Sequence, residues 1–178
     1  MVRAPSVSLV SGAAALTGNT TADEPSAPGA IPQVVLGRTG VKVSRLGIGC
    51  AYLQRDAVTP DDVRVMFHRA LELGVNYLDT APSYGSAQEK MGPAIKEIRD
   101  KVFLVTKTGA ASYQGTWDSL RQSLKHLQTD HVDLVHLHNF GDEKLWGDDA
   151  MVFGDKGAMG ALREAKKQGV VRFIGASG

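Results

Sequence analysis

The sequence predicts an α/β protein of the (β/α)8, TIM-barrel type, truncated after the fifth barrel strand and opened by an N-terminal β-hairpin. Three observations lead there. From Leu46 to Ser177, short apolar strand patterns alternate with helical patterns, which builds right-handed βαβ units on a parallel sheet. A hairpin signal precedes the first of these strands. Residues suited to proton chemistry stand at three consecutive strand ends, where parallel α/β folds place their sites. A doubly wound sheet shares the alternation, but Leu46-Gly-Ile-Gly-Cys-Ala lacks the third glycine and the helix start of a dinucleotide fingerprint. A complete barrel takes eight strands and typically about 250 residues. Here about five strands fill 178 residues, and the stop at Ser177-Gly178, on the last residues of a strand, reads as truncation.

Residues 1–32 stand apart. Ala, Ser, Thr, Gly and Pro dominate there and Arg3 is the only cation, the composition of a disordered leader. A weak export signal over residues 1–22 is the alternative, so the expected location is the cytoplasm, or the periplasm if that signal acts. The domain proper is expected over residues 33–178. VVLGRTGVKVS gives two β-prone runs around Arg38-Thr39-Gly40, a hairpin with Gly at its turn. Leu46 to Cys50 is the first buried strand. Thr59-Pro60-Asp61-Asp62 starts a helix with a Thr N-cap, Pro at its first position and an acid completing a capping box. Val63, Phe67, Ala70 and Leu71 fall on one face, and Gly74 closes the helix.

The pattern then repeats. Val75 to Leu78 is a strand, Ala87 to Ile98 a helix kinked or broken at Pro93, and Val102 to Lys107 a strand. Thr116 is expected to cap a third helix whose stripe is Leu120, Leu124 and Leu127. His131 to His138 is a strand, and a long loop runs from Asn139 to about Asp155. A helix through Ala161, Leu162 and Ala165 ends at Gly169, and Val170 to Ser177 is the fifth barrel strand.

Composition narrows the function classes. Hydrophobic content of 43% and charged content of 22% describe a soluble globular protein. A formal net charge of +1 gives nucleic acid and anionic membrane no handle, and no apolar run approaches the roughly 20 residues of a bilayer span. The single cysteine, Cys50, excludes an internal disulfide and reads as a small core residue.

Asp79 ends one strand, Tyr84 sits on the loop after it, Lys107 ends the next and His138 the one after. Singly, each has a plain reading: Asp79 as a turn cap, Tyr84 as a loop aromatic. Lys107 resists one, because an unpaired buried lysine is costly. A phenol alone is a weak acid at neutral pH; an adjacent ammonium stabilises its anion, and a carboxylate keeps that ammonium charged and aimed. A histidine beside them can hydrogen-bond a carbonyl oxygen. The combination suits protonation of a carbonyl while hydride comes from a nicotinamide, since no side chain donates hydride. His136 and His138 share a strand face, but no further His or acid at suitable spacing makes a metal site of them. Tyr113 and Trp117 read as packing or loop residues, and Trp146 as part of a plain surface loop in preference to the border of a substrate pocket.

These residues resemble the aldo-keto reductases, NAD(P)H-dependent enzymes on a (β/α)8 barrel. The likeness runs from Val35 to Ser177. LGRTGVKVSRLGIGC is similar to the family's opening hairpin and first strand, NYLDTAPSYG to the segment with its Asp and Tyr, VTK to its Lys, VDLVHLH to its His and GVVRFIGAS to its fifth strand. The resemblance implies Tyr84 as general acid, Lys107 and Asp79 as the groups that tune it, and His138 as the carbonyl-orienting group. It implies Ser177 against the nicotinamide carboxamide, with Gly49, Cys50, Ala51 and Asp79 beside the cofactor, NADPH or NADH, and a small carbonyl substrate. Ala87, Gln88 and Met91 replace the Ser, Glu and Leu common after the tyrosine, and Gly178 stands where Asn often follows the serine. The family's later strands hold the cofactor phosphates, so these five carry the acid-base residues without that site. The alternative is a non-catalytic partial barrel that associates through its bare sheet edges, as a homo-oligomer or with another chain.

Overall fold

The computed structural model describes residues 31–178; the expected leader, apart from its last two residues, lies outside them. An antiparallel hairpin, β1 (Gln33–Val35) with β2 (Lys42–Ser44), comes first. Its turn is the 3-10 segment Gly37–Thr39 closed by Gly40 in the left-handed region, φ 73°, a conformation that glycine adopts without strain.

Five strands then pair in parallel, each with its neighbour in the chain: β3 (Gly47–Gly49), β4 (Tyr77–Asp79), β5 (Phe103–Thr108), β6 (Val132–Leu137) and β7 (Val171–Ala176). The crossover helices are α1 (Pro60–Glu72), α2 (Ala87–Ile98), α3 (Tyr113–Leu127) and α6 (Ala158–Lys167), with short α4 (Glu143–Trp146) and α5 (Asp149–Phe153) after β6. The helices bury their stripes on one sheet face, where Phe67, Met91, Ile95, Leu120, Leu127 and Leu162 join Leu78 and Leu104. A smaller cluster on the other face holds Phe103, Val105 and Leu134, with Val43 of the hairpin over it. That second face carries the site.

The α1 start follows the sequence reading. Thr59 accepts from the Asp62 backbone N–H at 3.1 Å while the Asp62 carboxylate accepts from Thr59 N–H at 2.9 Å. At the other end Gly74, φ 83°, lets Val75 donate back to the Ala70 carbonyl. That bond keeps Val75 out of the strand, which begins at Tyr77 and takes in Asp79.

Three expectations are corrected. Ser112, not Thr116, caps α3: its side chain accepts from Gly115 N–H, while Thr116 lies inside the helix and donates to the Ala110 carbonyl at 2.8 Å. The start is fixed from far away, by Tyr113 N–H on the Lys156 carbonyl. Pro93 does not break α2, which runs unbroken through it; only the ladder bond to the Glu89 carbonyl is forfeited. The stretch 139–155 is not plain loop. Asp142 and Asp148 cap α4 and α5 by accepting from Lys144 and Ala150 N–H.

Candidate active site

Strand register decides which side chains meet. Gly49, Asp79, Val105, Leu134 and Phe173 form one row across the sheet, and Lys107, His136 and Gly175 the row above it. Side chains two residues apart on a strand share a face, so Asp79, Lys107 and His136 point to the side away from the helices, and His138 follows one residue past the end of β6. Lys107 leans back toward β4. Its Nζ donates to the Asp79 carboxylate and, at 3.0 Å, to the Thr80 carbonyl. With Lys107 only 6% exposed, the pair is a buried ion pair on the Lys side and half-open on the Asp side.

Tyr84 is delivered by a tight turn. Its N–H donates to the Ala81 carbonyl at 3.1 Å, its own carbonyl accepts from Ala87 N–H at 3.0 Å, and α2 starts there. Gly85 follows at φ 51°, where a Cβ would also meet Gln54 Oε1 at 2.8 Å. The Lys107 Nζ lies 5.1 Å from the centre of the Tyr84 ring. His138 meets the same ring edge-on, centroids 5.9 Å apart at 85°. The structure thus brings Asp79, Tyr84, Lys107 and His138 together.

His138 is fixed from both sides. Its N–H donates to the Thr108 carbonyl at 2.9 Å, and its carbonyl accepts from the Trp146 indole N–H at 2.9 Å. Trp146 is therefore a buried brace under the site rather than part of a surface loop. The hydroxyl of Ser83 lies 3.4 Å from His138 Nδ1. Burial, and then the Lys107 ammonium, hold the imidazole below its ordinary pKa, with Asp79 opposing. Thr80, Ser83 and Trp146 were not singled out as site residues from sequence. Thr80 acts through its backbone, and Trp146 arrives through α4, so neither leaves a local signal.

The residues expected beside a cofactor line the same rim with different exposure. Gly49 ends β3, is exposed, and a Cβ on it would meet nothing within 4 Å. Ala51 opens the 3-10 turn Ala51–Gln54. Cys50 is fully buried, and its N–H donates to the Asp79 carbonyl at 2.8 Å. Its thiol is pushed up to about 12, by burial first and by Asp79 next. Ser177 stands next to His138: its N–H donates to the Leu137 carbonyl, and its Oγ accepts from Asn139 N–H at 3.4 Å. Among the described residues, no group of three or more His, Cys, Asp or Glu is gathered closely enough to hold a metal ion, and no helix is long and apolar enough to cross a membrane.

The profile of the Aldo/keto reductase family matches residues 45–178. The chain is 33% identical over 158 residues to L-galactose dehydrogenase of Arabidopsis thaliana, covering 80% of this chain and 47% of that protein. It is 30% identical over 141 residues to a methylglyoxal reductase of Escherichia coli, covering 77% and 46%. Among solved structures, the holo form of an aldo-keto reductase from Bacillus halodurans superposes with a TM-score of 0.66 at 31% identity, covering 83% of this chain and 50% of that one. The chain spans about half the length of the curated relatives it matches.

Proposed function

The chain belongs to the aldo/keto reductase family, and from that premise we propose that it serves the NAD(P)H-dependent reduction of aldehyde or ketone carbonyls to alcohols, on five strands of a partial (β/α)8 barrel. One observation carries the reading: the Lys107 ammonium, paired with Asp79, stands against the Tyr84 ring with His138 at that ring's edge.

In this reading Tyr84 gives its phenol proton to the carbonyl oxygen. The Lys107 ammonium stabilises the charge left on the ring oxygen, an electrostatic role that a buried cation fills well. Asp79 keeps Lys107 charged and pointed, and the Thr80 carbonyl fixes its second hydrogen. His138, held below its ordinary pKa, is neutral at physiological pH and offers a ring nitrogen for orienting the carbonyl.

Bound nicotinamide would supply the hydride that no side chain can. The donor set fits its carboxamide end. The Ser177 hydroxyl accepts one long bond and keeps its own proton to donate, while Gly49 and Ala51 leave the rim open beside Asp79. The buried Cys50 offers backbone alone. The matched relatives are oxidoreductases, which favours the enzyme over a non-catalytic binding module.

The test is Tyr84→Phe. Reduction of a panel of aldehydes should fall by about 100-fold or more, the range expected for loss of a general acid, while NADPH affinity measured by quenching of intrinsic fluorescence changes little. Turnover retained by the Phe variant would remove Tyr84 from the role of acid.

A further inference from the structure

Just past the end of β6 the chain turns through Asn139 in the left-handed region, φ 51°. Asparagine tolerates this backbone better than most residues, but neighbouring bonds must hold it there. Those bonds come from two elements. From the end of β7, Ser177 Oγ accepts from Asn139 N–H at 3.4 Å and the Ser177 carbonyl accepts from Phe140 N–H at 2.6 Å. From α4, the Trp146 indole N–H is shared between the His138 carbonyl at 2.9 Å and the Asn139 carbonyl at 3.2 Å. The Asn139 carbonyl also accepts from Asp142 N–H at 3.2 Å, whereas among the described residues the indole is the one donor to the His138 carbonyl. The indole is itself fixed. It is 3% exposed and stands edge-on to Phe140, centroids 5.7 Å apart, while Phe140 stands edge-on to Phe153 of α5 at 5.6 Å.

We propose that Trp146 is a positioning residue for His138: its indole N–H locks the peptide between His138 and Asn139, and so fixes the direction in which the imidazole leaves the end of β6. The inference rests on the role given above to His138 as the group that orients the carbonyl. Two anchors define that direction. The His138 N–H is tied to β5 through the Thr108 carbonyl at 2.9 Å, and its carbonyl is tied to α4 through Trp146. With both in place the ring is held edge-on to Tyr84. Without the indole donor the His138 carbonyl loses its partner, the peptide can rotate, and Asn139 can relax toward an ordinary φ. An error of about 1 Å in an orienting group can cost on the order of 100-fold in rate. An indole N–H donates and does not accept, so Trp146 acts through the backbone and takes no part in the path of the proton.

The deciding experiment uses Trp146→Phe, which removes the N–H and keeps a ring beside Phe140. NADPH-dependent aldehyde reduction is compared among the wild type, Trp146→Phe, His138→Gln and the double variant. We expect kcat/KM for the aldehyde to fall about tenfold or more on Trp146→Phe in the wild type. The same substitution in His138→Gln should cost less than about threefold, because no imidazole is left to aim. Equal losses in the two backgrounds are what a merely structural role gives, and they overturn the proposal. A second arm needs no turnover. Amide hydrogen exchange at His138 and Phe140 should quicken about tenfold or more in Trp146→Phe relative to the amides of Val105 and Leu134 in the core strands. A uniform change, or none, overturns the proposal. Should Trp146→Phe not fold, 3-benzothienylalanine placed at position 146, which keeps the two-ring shape without the N–H, takes its place in both arms. A wild-type chain with no turnover would instead refute the proposed function, and hydrogen exchange would then decide the role of Trp146, as it would if His138→Gln left too little turnover to measure.

Discussion

The Lys107 ammonium addresses the face of the Tyr84 ring, 5.1 Å from its centre, while its hydrogens are engaged by Asp79 and by the Thr80 carbonyl. The cation is thus oriented by β4 and by the turn after it, not by the tyrosine whose ring it faces. Structural and chemical roles therefore fall on the same contact, and substitutions at the pair should show both.

Asp79→Asn would leave a nearly buried ammonium without its counter-charge. Loss of one partner of a buried pair costs on the order of 3 kcal/mol, lessened here because Asp79 retains 27% side-chain exposure. Urea denaturation should show that loss in the single variant and a smaller one in Asp79→Asn/Lys107→Met. Equal losses in the two would mean that the pair contributes nothing as a pair.

Acid should destabilise the fold from near neutrality. His136 and His138 are both held below their ordinary 6.5, in each case chiefly by burial. Below that pH the unfolded chain binds protons that the folded chain resists, so their stabilisation is present above pH 6.5 and lost as the pH falls from there through the folded values. Thermal scans at descending pH should show Tm falling in this window, with the fall reduced in His136→Gln. A Tm unchanged across the window would contradict the assignment.

Cys50 should be inert while the chain is folded. With its thiol pushed up to about 12 by burial and Asp79, almost no thiolate exists at mildly basic pH. Mass spectrometry after iodoacetamide treatment should find the folded chain unmodified and the urea-unfolded chain singly alkylated; rapid labelling of the folded chain would show that the β3 end opens.

Gly92 is where α2 comes closest to α3. A methyl group there would run into the His126 carbonyl and stand 3.1 Å from Gln128 Cγ and Nε2. Alanine improves helix propensity by about 1 kcal/mol over glycine, but overpacking against backbone typically costs about 1–3 kcal/mol. Gly92→Ala should therefore lower the urea midpoint with an unchanged m-value. A raised midpoint would show that the two helices can part freely.

What the sequence disclosed and what it hid divide along the range of the interactions. Asp79, Lys107 and His138 were readable because each ends an apolar run that has no other reason to finish on a charge or an imidazole. The Thr59–Asp62 box was readable because both of its bonds close within three residues. Ser112 and Thr116 are equally good caps by type, and the choice between them is made by Lys156, on the far side of β6. Trp146 looked like surface for the same reason: its partner, the His138 carbonyl, leaves no trace in side-chain chemistry. Gln88 is a related case. It is buried and donates to Thr106 and Ser123 at 2.9 and 3.3 Å, a polar contact between α2, β5 and α3 that helical periodicity alone does not predict.

The Asp79–Lys107 contact joins residues 28 apart in sequence, with a whole crossover helix between them. Closing such a segment costs entropy before any bond repays it. The pair therefore cannot act as a nucleus, and it can form only once α2 has docked and β4 has found β5. In a refolding experiment, the ion pair and the ring beside it would report the final annealing of the sheet and not its early collapse, so that competence for proton chemistry would trail the burial of the core in time.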